Sequence, residues 1–101
     1  MIVEHAELTV EAGREREFAA VFGTAREVLA EADGFCWAEL LRGAERPSAF
    51  LLLVGWDSVE AHTVGFRESE AFGRWRALVG PFFAAPPVVE HFHALGPRFS
   101  G

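Results

Sequence analysis

Between Ser48 and Trp56 the chain reads Ser-Ala-Phe-Leu-Leu-Leu-Val-Gly-Trp, a run too short for a core helix and rich in the bulky residues of extended strands. Side chains of a strand alternate between two faces. Phe50, Leu52, Val54 and Trp56 therefore point one way, and Ala49, Leu51, Leu53 and Gly55 the other. Both faces of the sheet carrying this strand must be sheltered from water. That requirement limits the folds open to a chain of 101 residues, which is long enough for one core and is read as a single domain over residues 1–101.

The remaining segments follow from periodicity. Ile2 to Val10 alternates, with Ile2, Ala6, Leu8 and Val10 on one face and Val3, His5, Glu7 and Thr9 on the other. From Arg14 to Ala32 the positions Phe18, Phe22, Ala25, Leu29 and Ala32 recur at helical spacing, and Asp33-Gly34 ends the helix. Phe35 to Leu41 reads as a second strand, Gly43 to Pro47 as a turn and Ser48 to Trp56 as the third strand. Asp57 with Glu60 forms a capping box for a helix that Gly65 interrupts; a second helical piece spans Glu68 to Val79, and Gly80-Pro81 stops it. Val88 to Leu95 closes the series as a fourth strand.

The order β-α-β-β-α-β, with its second helix broken, is the α+β pattern of ferredoxin-like domains: a four-stranded antiparallel sheet with helices on one face. The other face then needs a cover. A second copy of the chain, sheet against sheet, is the simplest one, and a homodimer is expected; the competing cover is the tail Gly96 to Gly101, which offers few residues for that surface.

Composition narrows the partners. With fifteen acidic residues against nine arginines and a net charge of -6, the chain lacks the clustered cations that nucleic acid requires. No apolar run reaches the length of a membrane span, and Glu4, His5 and Glu7 stand where a signal peptide would be basic and then apolar, so a cytoplasmic home is expected. Cys36 is the single cysteine and cannot form an internal disulfide; between Phe35 and Trp37, with no basic neighbour, it reads as a small hydrophobe.

The run from Phe50 to His62, followed by Phe66, Ser69, Phe72, Trp75, Leu78, Pro81-Phe82-Phe83, Pro86 and Val89-Glu90-His91-Phe92, resembles the second half of antibiotic biosynthesis monooxygenase domains. The Asp33-Gly34-Phe35 junction is compatible with the first half. The resemblance implies a dimeric α+β barrel. It also implies, for the members known as enzymes, oxygenation of aromatic phenols and quinols without metal or flavin, or degradation of haem. The haem-degrading members resemble one another through an Asn on strand one and a haem-ligating histidine near the end of the broken helix, with a Trp inside that helix. Here there is no Asn, Ala6 stands near the first position and Arg76 near the second, so haem is disfavoured and no cofactor is expected.

On this reading the expected function is a cofactor-independent monooxygenase acting on a small aromatic or quinol-like substrate held between the helices and the sheet. Its alternatives are a non-catalytic or stress-associated dimer holding an apolar metabolite, and haem binding through His62 or His91. A neutral imidazole among aromatics suits proton removal from an electron-rich ring, so His62 is the candidate base, with packing on the helix surface as its bland counterpart. Trp75 is placed with it as catalytic, and Phe66, Phe72 and Phe83 as the aromatic wall for a flat ligand, unless they are plain core. Arg67, with Arg76, would neutralise an anion at the mouth or simply face solvent. His91 and His93 share a strand face, directed to the dimer interior; pairing of strands four and one would bring His5 near them, with Glu7 and Glu90 as further donors, but no motif completes a metal shell and none is expected.

Overall fold

The computed structural model describes residues 1–100. Its strands are β1 (Ile2–Thr9), β2 (Phe35–Arg42), β3 (Ala49–Trp56) and β4 (Val88–His93), and its α-helices are α1 (Glu15–Leu29) and α2 (Glu70–Val79). The four strands form one antiparallel sheet in the order β2-β3-β1-β4, which gives the ferredoxin-like α+β fold expected from the β-α-β-β-α-β order.

Both helices pack on the sheet face that carries Ile2, Glu4, Ala6 and Leu8 of β1 and Phe50, Leu52, Val54 and Trp56 of β3, all of them buried. Phe18 of α1, with no solvent exposure, meets Phe50 edge-on at 5.0 Å between ring centres and Phe82 at 5.7 Å. The 3.6-residue period of Phe18, Phe22, Ala25 and Leu29 is what turns these side chains to one side of the helix.

The ends of the elements differ from the sequence reading by small shifts. Helix α1 stops at Leu29 rather than Ala32, and the chain reverses at Gly34, whose φ is +85°. Its carbonyl accepts a hydrogen bond from Asp57 N–H at 2.8 Å, and a Cβ there would lie 2.7 Å from the Ala61 Cβ. Gly34→Ala thus meets both a disfavoured backbone region and a steric conflict. It should cost about 1–3 kcal/mol, read as a lower urea midpoint with an unchanged slope.

At the start of the broken helix the capping oxygen belongs to Ser58, which accepts from Ala61 N–H at 3.1 Å, so the Asp57–Glu60 capping box is displaced by one residue. Helix α2 begins at Glu70 with Ser69 as its cap, accepting from Phe72 N–H, two residues later than the spacing suggested. The fourth strand ends at His93 and not Leu95.

The opposite sheet face has no helix on it. Trp37, Leu51, Leu53 and Phe92 alternate onto that side, and Gly55 is the only residue type that fits beneath Trp37, because a Cβ at Gly55 would run into the indole ring. The tail is not its cover over the described residues: Leu95 and Phe99 are 98% and 93% exposed. Gly101 lies outside the described residues.

Candidate active site

Between β3 and α2 the chain makes a single π-helical turn, Ala61–Phe66. Arg67 N–H bonds to the His62 carbonyl, five residues back, at 3.0 Å. Such turns widen a helix and commonly stand at functional sites. Gly65, which breaks the helical pattern in the sequence, lies within this turn. His62 and Phe66, four residues apart, both face the sheet and are buried.

The turn hangs over a cavity of about 340 Å³. His62, Phe66, Arg67, Phe72, Trp75 and Phe83, the six residues expected to form the site, all line it, as does Arg76. Phe66 meets Trp75 and Phe72 edge-on at 6.3 and 5.4 Å, so these rings form a wall without closing the space. Val89 and Pro87 complete the side toward β4.

One lining residue stands outside that set. Glu4 points inward from β1, 6% exposed, in phase with Ile2, Ala6 and Leu8. Its Oε1 accepts the Trp56 indole N–H at 2.9 Å and lies 3.4 Å from His62 Nε2. No buried polar atom is left unsatisfied among the described residues, and Glu4 Oε2 has no protein partner there, so the cavity is the space into which Oε2 opens. The signal for Glu4 was present in the sequence as a lone carboxylate on the apolar face of strand one.

His62 stacks on Trp56 with ring centres 5.2 Å apart and planes inclined by 17°. Its Nδ1 is 2.8 Å from His91 Nε2. Both ring nitrogens therefore face protein groups. The β1–β4 register explains His91: it lies opposite Glu4, and so on the helix-covered face. This overturns the placement of His91 toward an open sheet face beside His5. His5 lies opposite Glu90 on the other face and meets the Phe92 ring edge-on at 5.6 Å. No group of three metal-holding side chains exists among the described residues.

Burial controls the charges. It raises the Glu4 carboxyl above its ordinary value, while the Trp56 N–H and the Arg67 guanidinium pull it back. It pushes the His62 pKa down to about 4, helped by Arg67 and His91. A cationic His62 would pair with Glu4, but desolvation outweighs that attraction, and His62 is neutral at pH 7. His91 is shifted downward by burial and by Arg67.

A bacterial relative, the uncharacterised protein YczJ of Bacillus subtilis, is 37% identical over 92 residues, covering 91% of this chain and 97% of its own. The crystal structure of an antibiotic biosynthesis monooxygenase homologue from Bordetella bronchiseptica superposes with a TM-score of 0.90 at 40% identity, over 93% of this chain and 96% of that one. SnoaB, a cofactor-independent oxygenase from Streptomyces nogalater, shares the fold with a TM-score of 0.75 at 20% identity, over 95% and 94% of the two chains. The family model for antibiotic biosynthesis monooxygenases matches residues 1–78, and the chain belongs to that family.

Proposed function

We propose that the cavity is the active site of a cofactor-independent monooxygenase whose substrate is a small hydroxylated aromatic of the quinol or anthrone type. The observation that carries this reading is the Glu4 carboxylate, buried, raised in pKa and open through one oxygen to an aromatic-lined space. His62 Nδ1 is held by His91 and its Nε2 faces Glu4 Oε1 at 3.4 Å, which leaves Glu4 as the group that meets the substrate proton, with His62 acting through it. A base whose pKa is lifted toward neutrality is better matched to an acidic ring proton than an ordinary carboxylate. The volume lies at the small end of the range usual for small-molecule sites, about 300–1,000 Å³.

Proton removal leaves an electron-rich anion against the wall that Phe66, Phe72 and Trp75 form along the cavity. Dioxygen then takes its electrons from the substrate. Where the reacting carbon is a CH2 group, one oxygen atom becomes its carbonyl and the other leaves as water, so CH2 and O2 give C=O and H2O; where it is a ring C–H of a quinol, one oxygen atom becomes a ring hydroxyl, the other leaves as water and the quinol becomes the hydroxyquinone, in both cases with no outside reductant. Arg67 and Arg76 at the rim offset the negative charge. The test is dissolved-oxygen uptake with anthrone and 1,4-dihydroxynaphthalene, measured above the uncatalysed rate. Uptake at background with both compounds sinks the reading.

The partner is a second copy of the chain, seated on the open sheet face with Trp37, Leu51, Leu53 and Phe92. Light scattering at micromolar concentration should give twice the 11.1 kDa chain mass, and Leu53→Arg should return it to one. A reducing, cytoplasmic setting suits a chain whose Cys36 is exposed and free.

A further inference from the structure

We infer that His91 is a positioning residue that fixes the tautomer of His62 and, through it, keeps the Glu4 carboxylate in its accepting, ionised form. Three separate elements build this arrangement. The β1–β4 register sets His91 opposite Glu4, and the π-turn suspends His62 above the pair. Trp56, at the end of β3, closes the other side by stacking on His62 and donating to Glu4.

The assignment of hydrogens follows from the atoms in contact. Glu4 Oε1 already accepts from Trp56, so it presents lone pairs to its surroundings. His62 Nε2 lies 3.4 Å from the same oxygen. With both side chains buried, a lone pair on Nε2 facing that oxygen would be repelled, whereas an N–H is attracted; Nε2 therefore carries the hydrogen. A neutral ring then has its lone pair on Nδ1, and the 2.8 Å contact requires His91 Nε2 to donate. His91 donates to His62, and the His62 Nε2–H stands 3.4 Å from Glu4 Oε1, too long for a strong hydrogen bond but close enough for its dipole to favour the carboxylate; Oε2 is left for the ligand. The groups facing His91 are His62 and Arg67 from the helical segment and Glu4 from β1. His91 is half-buried and does not line the cavity, so it acts only through His62. The sequence holds no other histidine that could replace it, since His5 and His93 do not contact this ring among the described residues.

This inference rests on the reading of Glu4 as proton acceptor, and its test separates the two because it uses the protein without substrate. Long-range 1H–15N spectra of labelled protein report the His62 tautomer, and 13C-carboxyl spectra follow the titration of Glu4. The wild type should show the Nε2–H tautomer. His91→Leu should mix in the Nδ1–H form and raise the Glu4 midpoint by about one pH unit, a roughly tenfold lower ratio of carboxylate to acid at a given pH. His91→Gln, whose amide N–H can stand where Nε2 stood, should restore both. A merely structural His91 would alter stability in the variants without moving tautomer or titration. An Nδ1–H tautomer in the wild type overturns the inference even if no variant folds, as does a Glu4 midpoint unmoved in folded His91→Leu.

Discussion

Glu4→Gln is expected to lower the turnover of whichever hydroxyaromatic supports oxygen uptake by about 10²–10⁴-fold, the usual contribution of a positioned general base. The change is close to isosteric. The amide oxygen of Gln still accepts from Trp56 N–H, so the 2.9 Å contact can persist and the fold should be kept. What disappears is the ability to take a proton. Because the working form is the carboxylate, wild-type turnover should rise as pH rises through the elevated Glu4 pKa, and this limb should be missing in the variant. Stopped-flow oxygen uptake across pH 5 to 9, with circular dichroism to verify folding, measures both. Near wild-type turnover in Glu4→Gln would transfer the base to another group.

The second large effect concerns stability in acid. Burial lowers the His62 pKa from 6.5 to about 4, so the folded protein disfavours the imidazolium relative to the unfolded chain. The sign is that of a depressed base. The contribution is present in full above pH 6.5, and it is lost as pH falls toward the folded value, by about 3 kcal/mol on reaching pH 4. Glu4 works in the opposite sense, since its raised pKa favours the neutral acid in the folded state, and falling pH through that value adds stability. Comparing urea unfolding of wild type and His62→Gln at pH 7, 5.5 and 4 isolates the histidine part. The wild type should lose about 3 kcal/mol more than the variant over this interval, a large share of the roughly 5–15 kcal/mol that holds a small domain together. Parallel curves would mean that His62 is hydrated in solution.

The order of elements was legible because each announces itself over several residues: alternation in Ile2 to Val10, and the 3.6-residue return of Phe18, Phe22, Ala25 and Leu29. Their ends were less so. Asp57 and Ser58 both carry a capping oxygen, and only the path of the chain decides which one meets Ala61 N–H. The π-turn was hidden for a related reason, since His62 and Phe66 share a face in either kind of helix, and Gly65 alone marked the irregularity. The aromatic wall was readable from spacing on α2. The polar array was not, because its members are far apart in the chain: Trp56 reaches Glu4 across 52 positions and His91 reaches His62 across 29. Whether His91 shares a face with Glu4 or with His5 depends on strand register, a property of the pair of strands and absent from either one alone.

The placement of β4 carries a consequence for length variation among relatives. It is an edge strand, paired only with β1, and its contribution to the cavity depends on whether a residue is odd or even in the count from Val88. An extra residue in the loop at Ala84 to Pro87 leaves that parity alone. An extra residue inserted within the strand itself, between Val88 and His91, would turn the imidazole outward and deliver a neighbouring side chain to His62 in its stead. Insertions should therefore be tolerated on one side of Val88 and selected against on the other, which makes a gap position, and not only a residue identity, diagnostic of chains that keep this chemistry.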